Sequence, residues 1–181
     1  RPRTARYDLE KYHEDLIVSS ACLGGEIPQK IMKGDMAGAR EAVEWYHNLF
    51  GDDFYLELQR HQVTDPNVHA NRETYPLQQK VNRELIKFSK EYGIKLICTN
   101  DCHFEDKETA EAHDHLLCLA TGKDLDDPTR MVYTKQEWFK TRAEMNAIFS
   151  DLPEALSNTL EILDKVEIYS IDHGPIMPFF P

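Results

Sequence analysis

Apolar and polar positions along this chain switch between two periods, and the switches mark its elements. Leu16–Cys22 (L-I-V-S-S-A-C) alternates with period two, as a half-buried strand does. The alternation puts Leu16, Val18, Ser20 and Cys22 on one face. Gly24-Gly25 then turns the chain, and Glu26–Met32 reads as a helical turn leading to Lys33-Gly34. Asp35 suits an N-cap, and Met36, Ala39, Val43, Tyr46 and Phe50 come after it at helical spacing up to Gly51. A second strand is predicted over Phe54–His61. Phe54, Leu56 and Leu58 make its apolar face, and Tyr55, Glu57, Gln59 and His61 its polar face. A polar face on a strand flanked by helices either lines a cavity or lies at an exposed edge. A cavity is the expectation here.

The later segments repeat the βα order. Gln62–Tyr75 is polar and reads as a loop. Pro76 then opens a helix whose stripe is Leu77, Val81, Leu85, Phe88 and Tyr92, closed by Gly93. A third strand, Lys95–Asn100, runs into the polar tip of K-L-I-C-T-N-D-C-H, Lys95–His103. Strict alternation sets Ile97, Thr99, Asp101 and His103 on one side, with Leu96, Cys98 and Asn100 on the other. Glu105-Asp106-Lys107 begins a helix marked by Ala110, His113, Leu117 and Ala120 and ended by Gly122; Lys123–Met131 is a turn-rich loop. Thr134–Glu137 and Thr141–Glu144 both fit the capping box. Each is expected to open a short helix, the first carrying Trp138 and Phe139 into the core, the second Met145, Ile148 and Phe149. Pro153 starts a last helix with Leu156, Leu160, Leu163 and Val166. The two ends, Arg1–Asp15 with a helical turn around Leu9–His13 and His173–Pro181, read as extended. Strands alternating with helices predict an α/β fold with about three parallel strands and a helical C-terminal portion. In such folds chemistry gathers at the carboxyl ends of the strands.

Composition narrows the classes. The chain has 181 residues, 41% hydrophobic and 29% charged, which suits one folded domain rather than a disordered segment. Its apolar runs are too short to span a membrane, no signal peptide is visible, and a cytoplasmic location is expected. A net charge of −11 argues against a general nucleic-acid clamp; the cluster Arg1, Arg3, Arg6 does not change the balance. The start at Arg1 rather than Met suggests a piece of a longer protein. Four cysteines, Cys22, Cys98, Cys102 and Cys118, form no CxxC pair, so a zinc ribbon is not expected. Cys98 and Cys118 read as small buried residues.

Asp101 and His103 carry the candidate chemistry. A carboxylate and an imidazole two residues apart at a strand's end suit one zinc, manganese or iron ion, and such ions make hydroxide at neutral pH. His61 ends a strand on the face of Glu57 and Gln59. It either orients a ligand or touches phosphate, or it is a surface histidine at a loop entrance. His113 and His115 read as packing or surface residues of a helix.

Several longer motifs carry a resemblance. They are S-A-C-L-G-G-E-I-P (Ser20–Pro28), F-Y-L-E-L-Q-R-H (Phe54–His61), T-N-D-C-H-F (Thr99–Phe104), A-E-A-H-D (Ala110–Asp114), T-G-K-D-L-D-D-P-T-R (Thr121–Arg130), D-L-P-E-A-L-S-N-T (Asp151–Thr159) and the closing I-M-P-F-F-P. In this order they resemble the alpha subunits of bacterial DNA polymerase III, in their polymerase-and-histidinol-phosphatase (PHP) domain. The resemblance implies a distorted α/β barrel with a multinuclear divalent-metal centre at its strand ends. It further implies that only the C-terminal part is here: residues 1–172 within the PHP domain, 173–181 a linker toward the polymerase palm. The family's His-x-His motif is missing, since His113-Asp114-His115 falls in a helix. The polymerase carboxylates, with their magnesium, lie outside, so no catalytic residue is assigned in this chain. Cys22 matches a family metal ligand; otherwise it is a small residue before a glycine turn. His103 is kept where some members have lost it, and Gln62–Tyr75 is longer than usual.

Three readings are open. The chain is part of a replicative polymerase whose PHP domain is a scaffold or a metal-dependent 3′–5′ exonuclease, with DNA and replisome subunits as partners through the parent. Alternatively it is a free-standing PHP phosphoesterase, or a non-catalytic interaction module. No membrane partner is expected; self-association of the piece is.

Overall fold

The computed structural model describes residues 4–179. Arg1, Arg3 and the last two residues of the tail lie outside the described residues. Three parallel strands form the sheet: β1 (Val18–Ser19), β2 (Phe54–Leu58) and β3 (Leu96–Cys98), in the order β1-β2-β3. Val18 pairs with Phe54, and Leu56, Glu57 and Leu58 pair with Leu96, Ile97 and Cys98. Around them run α1 (Arg6–Lys11), α2 (Glu26–Lys33), α3 (Met36–Phe50), α4 (Tyr75–Tyr92), α5 (Ala110–Thr121), α6 (Arg142–Ile148) and α7 (Pro153–Lys165). This is the expected partial α/β arrangement of strands linked by helices.

The core lies between β2 and the helices α2, α3 and α4. Phe54, Leu56 and Leu58 bury against Ile27, Ile31, Ala39, Val43, Val81, Leu85 and Phe88, with Phe149 and Ala155 closing one side. The local signals for these helices hold. Asp35 accepts from the Gly38 amide at 2.9 Å to cap α3. Gly34, Gly93 and Gly122 end α2, α4 and α5 in the left-handed region, which glycine adopts without the strain a side chain brings. Pro76 sits in the first turn of α4, and Thr141 with Glu144 caps α6.

Several expectations need correcting. The strands are shorter than their apolar runs. Left-handed residues at Asp15 and Ala21 bracket β1, so Leu16 and Cys22 leave the pleat and alternation over Leu16–Cys22 fails. Asp101 also has φ +48, which breaks the alternation beyond β3. The N-terminal helix is Arg6–Lys11, earlier than Leu9–His13, because Asp8 receives the Ala5 amide at 3.2 Å. The expected loop Gln62–Tyr75 ends in a π-helical turn, Ala70–Thr74, that leads into α4. Thr134–Glu137 opens no helix. The Trp138 backbone instead bridges Phe104 in parallel, with the His103 amide donating to the Glu137 carbonyl at 2.8 Å. That pairing takes the carbonyls a helix would need, and Phe139, expected in the core, is 76% exposed.

Two helices bury a different face from the one expected. In α5 the buried line is Ala110, Asp114 and Cys118, and Ala120 is exposed. Arg130 draws Asp114 inward through bonds of 2.6 and 3.1 Å. In α7 Leu156 packs on the core as expected, but the other inward residues are Ala155, Asn158 and Glu161. Asn158 donates to the Leu96 carbonyl, and Glu161 receives Tyr55 and Lys95. Leu160, Leu163 and Val166 therefore face out.

Candidate metal-binding site

All three strands deliver polar residues to one end of the sheet. Ser19, Glu57 and Thr99 share a face by register. Glu57 receives the Ser19 hydroxyl at 2.5 Å, the Gln59 amide at 3.0 Å and the Thr99 hydroxyl. One carboxylate thus ties β1, β2 and the exit of β3 together. Beyond it, a cavity of about 220 Å³ is lined by Cys22, Gln59, His61, Gln78, Asp101, Tyr133 and Glu137, among others. β2 stops at Leu58, short of the expected His61, and it is just beyond its end that Gln59 and His61 line this cavity. Tyr55, by contrast, is buried and donates to Glu161 at 2.7 Å.

Asp101 and His103 come together: Asp101 Oδ1 lies 3.4 Å from His103 Nε2, each about one-third exposed. A left-handed turn at Asp101 makes this approach, rather than a strand pleat. Tyr133 packs on His103 with ring centres 4.5 Å apart, and His113 packs on both. His113 is therefore a packing residue, whereas His115 is exposed on α5. Burial raises the Tyr133 pKa, helped by the negative potentials of Asp101, Glu137 and Cys22. Cys22, Asp101 and Tyr133 line the same cavity. Cys22 Sγ itself accepts from the Gly24 amide at 3.4 Å, in the turn before α2.

His61 lies inside the protein rather than at its surface, only 3% exposed. Its Nε2 meets the Asn100 carbonyl at 3.1 Å and its Nδ1 meets Gln78 Nε2 at 3.1 Å. Both ring nitrogens are taken, which leaves none for a phosphate. Burial lowers its pKa, against the opposing pull of Glu137 and Asn100. Buried Glu137 accepts from Thr134 and from the Gln136 amide. Lys140 lies 3.4 Å above the Trp138 ring, and burial pulls its ammonium down to about 8. Cys98 and Cys118 are buried as expected, and burial pushes the Cys98 thiol up to about 12.

Gln78, Asn82 and Glu137 are buried polar residues that no motif singles out. The signal for Gln78 and Asn82 was present: they sit at i and i+4 beside Val81 and Leu85, on the buried stripe. Glu137 carried none beyond its capping-box spacing.

The donor set fits a metal ion only in part. Asp101 and His103 offer oxygen and nitrogen side by side, and Cys22 offers sulfur on the same cavity. Among the described residues, however, no three His, Cys, Asp or Glu side chains converge as one ion requires. A multinuclear centre would need donors from outside this chain.

Comparison with known proteins agrees with the motif reading. The PHP domain family matches residues 1–61, which include Cys22, Glu57 and His61. Nearly the whole chain is similar to proteins named DNA polymerase III subunit alpha. The Borreliella burgdorferi protein is 41% identical over 180 residues, 98% of this chain and 15% of its own length. The Campylobacter jejuni protein is 39% identical over 191 residues, 99% of this chain and 15% of its own. The Thermus aquaticus protein is 37% identical over 175 residues, covering 93% and 13%. The chain thus spans about 15% of the length of the relatives it matches. No helix among the described residues is long and apolar enough to cross a membrane.

Proposed function

We propose that this chain is the C-terminal part of the PHP domain of a replicative DNA polymerase alpha subunit. Residues 1–172 belong to that domain and 173–181 lead toward the polymerase palm. The parent protein extends DNA on a template with magnesium, in the cytoplasm, alongside other replisome subunits. The observation that carries this reading is similarity over 98% of the chain to 15% of an alpha subunit, in motif order. The motifs T-G-K-D-L-D-D-P-T-R (Thr121–Arg130) and I-M-P-F-F-P speak against a free-standing phosphoesterase.

Within the parent, Cys22, Asp101 and His103 supply part of a zinc, manganese or iron centre, with Glu57, Gln59 and His61 behind them. Bound there, such a centre would supply Lewis-acid chemistry for hydrolysis of a terminal phosphodiester, which would make the PHP domain a 3′–5′ exonuclease. The chain alone acts as a scaffold, because its described residues bring no three donors together.

The test uses the full-length parent with Asp101→Asn. Bound zinc, manganese and iron are measured by mass spectrometry beside exonuclease and primer-extension rates. Metal content and exonuclease rate are expected to fall by at least about tenfold, with primer extension retained. Unchanged metal content would remove Asp101 from the centre. The 181-residue chain is expected to release no 3′ nucleotide with any of these metals; release would overturn the scaffold reading.

A further inference from the structure

The left-handed tip bearing Asp101 and His103 is gripped from behind by side chains that touch neither residue's charged group. Asn100 is 6% exposed and works in two directions. Its side-chain amide donates to the Gln136 carbonyl at 2.8 Å and the Trp138 carbonyl at 2.7 Å. Its own carbonyl takes His61 Nε2 at 3.1 Å. Gln78, 2% exposed, accepts the His61 backbone amide on Oε1 at 2.8 Å. That bond turns the Gln78 Nε2 toward His61 Nδ1 as a donor at 3.1 Å, closer than the Glu137 carboxylate, 3.5 Å from the same nitrogen. An Nδ1 that accepts leaves the proton on Nε2, which is the atom facing the Asn100 carbonyl. On the far side of the tip, the His103 amide donates to the Glu137 carbonyl at 2.8 Å.

We propose that Gln78, His61 and Asn100 form a positioning relay. By fixing the His61 tautomer, the relay holds the Asn100 carbonyl and thereby sets the left-handed turn that brings Asp101 beside His103. The relay deepens the metal-site reading and rests on it for its functional meaning, but its geometry stands on the contacts above. The chemistry is directional. A histidine protonated on Nδ1 alone would set a lone pair against the Asn100 carbonyl and an N–H against the Gln78 amide. Asp at position 100 would set carboxylate oxygens against two carbonyls. Gln at position 61 keeps a donor where Nε2 stands; Leu keeps none.

The test is solution NMR on the full chain. In the unaltered protein, the long-range ¹H–¹⁵N pattern of His61 should show a protonated Nε2 and a bare Nδ1. The opposite tautomer, or a doubly protonated ring, overturns the relay without any variant being made. Amide exchange is then measured at the His103 N–H, with the Ser20 N–H, bonded to the Tyr55 carbonyl at 3.0 Å, as a control at the same end of the sheet. His61→Leu is expected to speed His103 exchange about tenfold with the control unmoved, and His61→Gln to restore it to within about threefold. Equal exchange at both amides in His61→Leu, or no rescue by Gln, overturns the relay. If the Leu variant fails to fold, Gln78→Met gives the same comparison from the other end. Binding of Mn²⁺, read by broadening of the Asp101 and His103 signals, separates the two readings. A correct tautomer and rescue with no metal effect would keep the relay and remove the metal role.

Discussion

Asp101 is one of four non-glycine residues with positive φ among the described residues, with Asp15, Ala21 and Lys135. Each such residue stores about 1 kcal/mol of backbone strain, so its neighbours must hold it. Three of the four adjoin the cavity: Ala21 precedes Cys22, Asp101 is on the rim, and Lys135 lies two residues before Glu137. The Asp-x-His spacing at a strand's end, within the motif T-N-D-C-H-F, pointed to Asp101 and His103 in sequence. The residues that hold them were not, because His61 and Asn100 meet across 39 residues of chain. His61 also sets a pH dependence. Burial holds its folded pKa below the ordinary value of about 6.5. As pH falls through about 6.5 toward that lower value, the unfolded chain takes a proton that the folded chain refuses, so stability is full above the window and declines within it. The Glu137 carboxylate lies 3.5 Å from the ring, and the charges of Glu137, Lys140 and Asp101 shift the window without reversing its sign. The urea midpoint is expected to fall less between about pH 7.5 and about pH 5.5 in His61→Gln than in the unaltered chain. At Asp114, the Arg130 guanidinium holds the carboxyl below its usual range, so that pair contributes above about pH 4 and is lost on acidification. Asp114→Asn should cost about 2 kcal/mol at neutral pH by chemical unfolding.

Among the elements, two capping boxes close together in sequence had different fates. Thr141 and Glu144 exchange bonds of 3.3 and 2.7 Å and start α6. Thr134 and Glu137 also bond, at 3.0 Å, yet the residues after them pair with the segment beyond β3. A cap satisfies amides at a helix start but supplies no apolar face, and Asn100 and His103 compete for the carbonyls here. The strong local signals were the ones that tertiary contacts did not contest, as at Asp35. Asp35→Ala is expected to lower stability by about 1 kcal/mol in thermal unfolding, with the Asp101–His103 signals unchanged. Gly25 is a different case, because a Cβ there would run into the Ser20 carbonyl. Gly25→Ala must displace the Cys22 turn, and should both destabilise the chain and alter Cys22 alkylation kinetics.

At the scale of the molecule, the sheet is covered on the side of α2, α3 and α4, while α7 and the tail beyond it show apolar groups to solvent. Leu163 is 68% exposed, Tyr169 76% and Met177 85%, a surface normally covered by further protein. We expect the isolated chain to self-associate. Its net charge of −11 opposes this at low salt, so sedimentation should show association strengthening as salt screens the repulsion; a monomer at all salt concentrations would refute it. Sequence by itself determined the βα order and the ends of α2 to α4, and set Asp101 and His103 two residues apart, since periodicity, caps and short-range spacing are local properties. Tertiary structure decided where the strands stop, which faces of α5 and α7 turn inward, and which buried amides hold the tip. Those outcomes depend on hydrogen-bond partners that only folding brings within reach, and no local pattern encodes a partner chosen across the sheet.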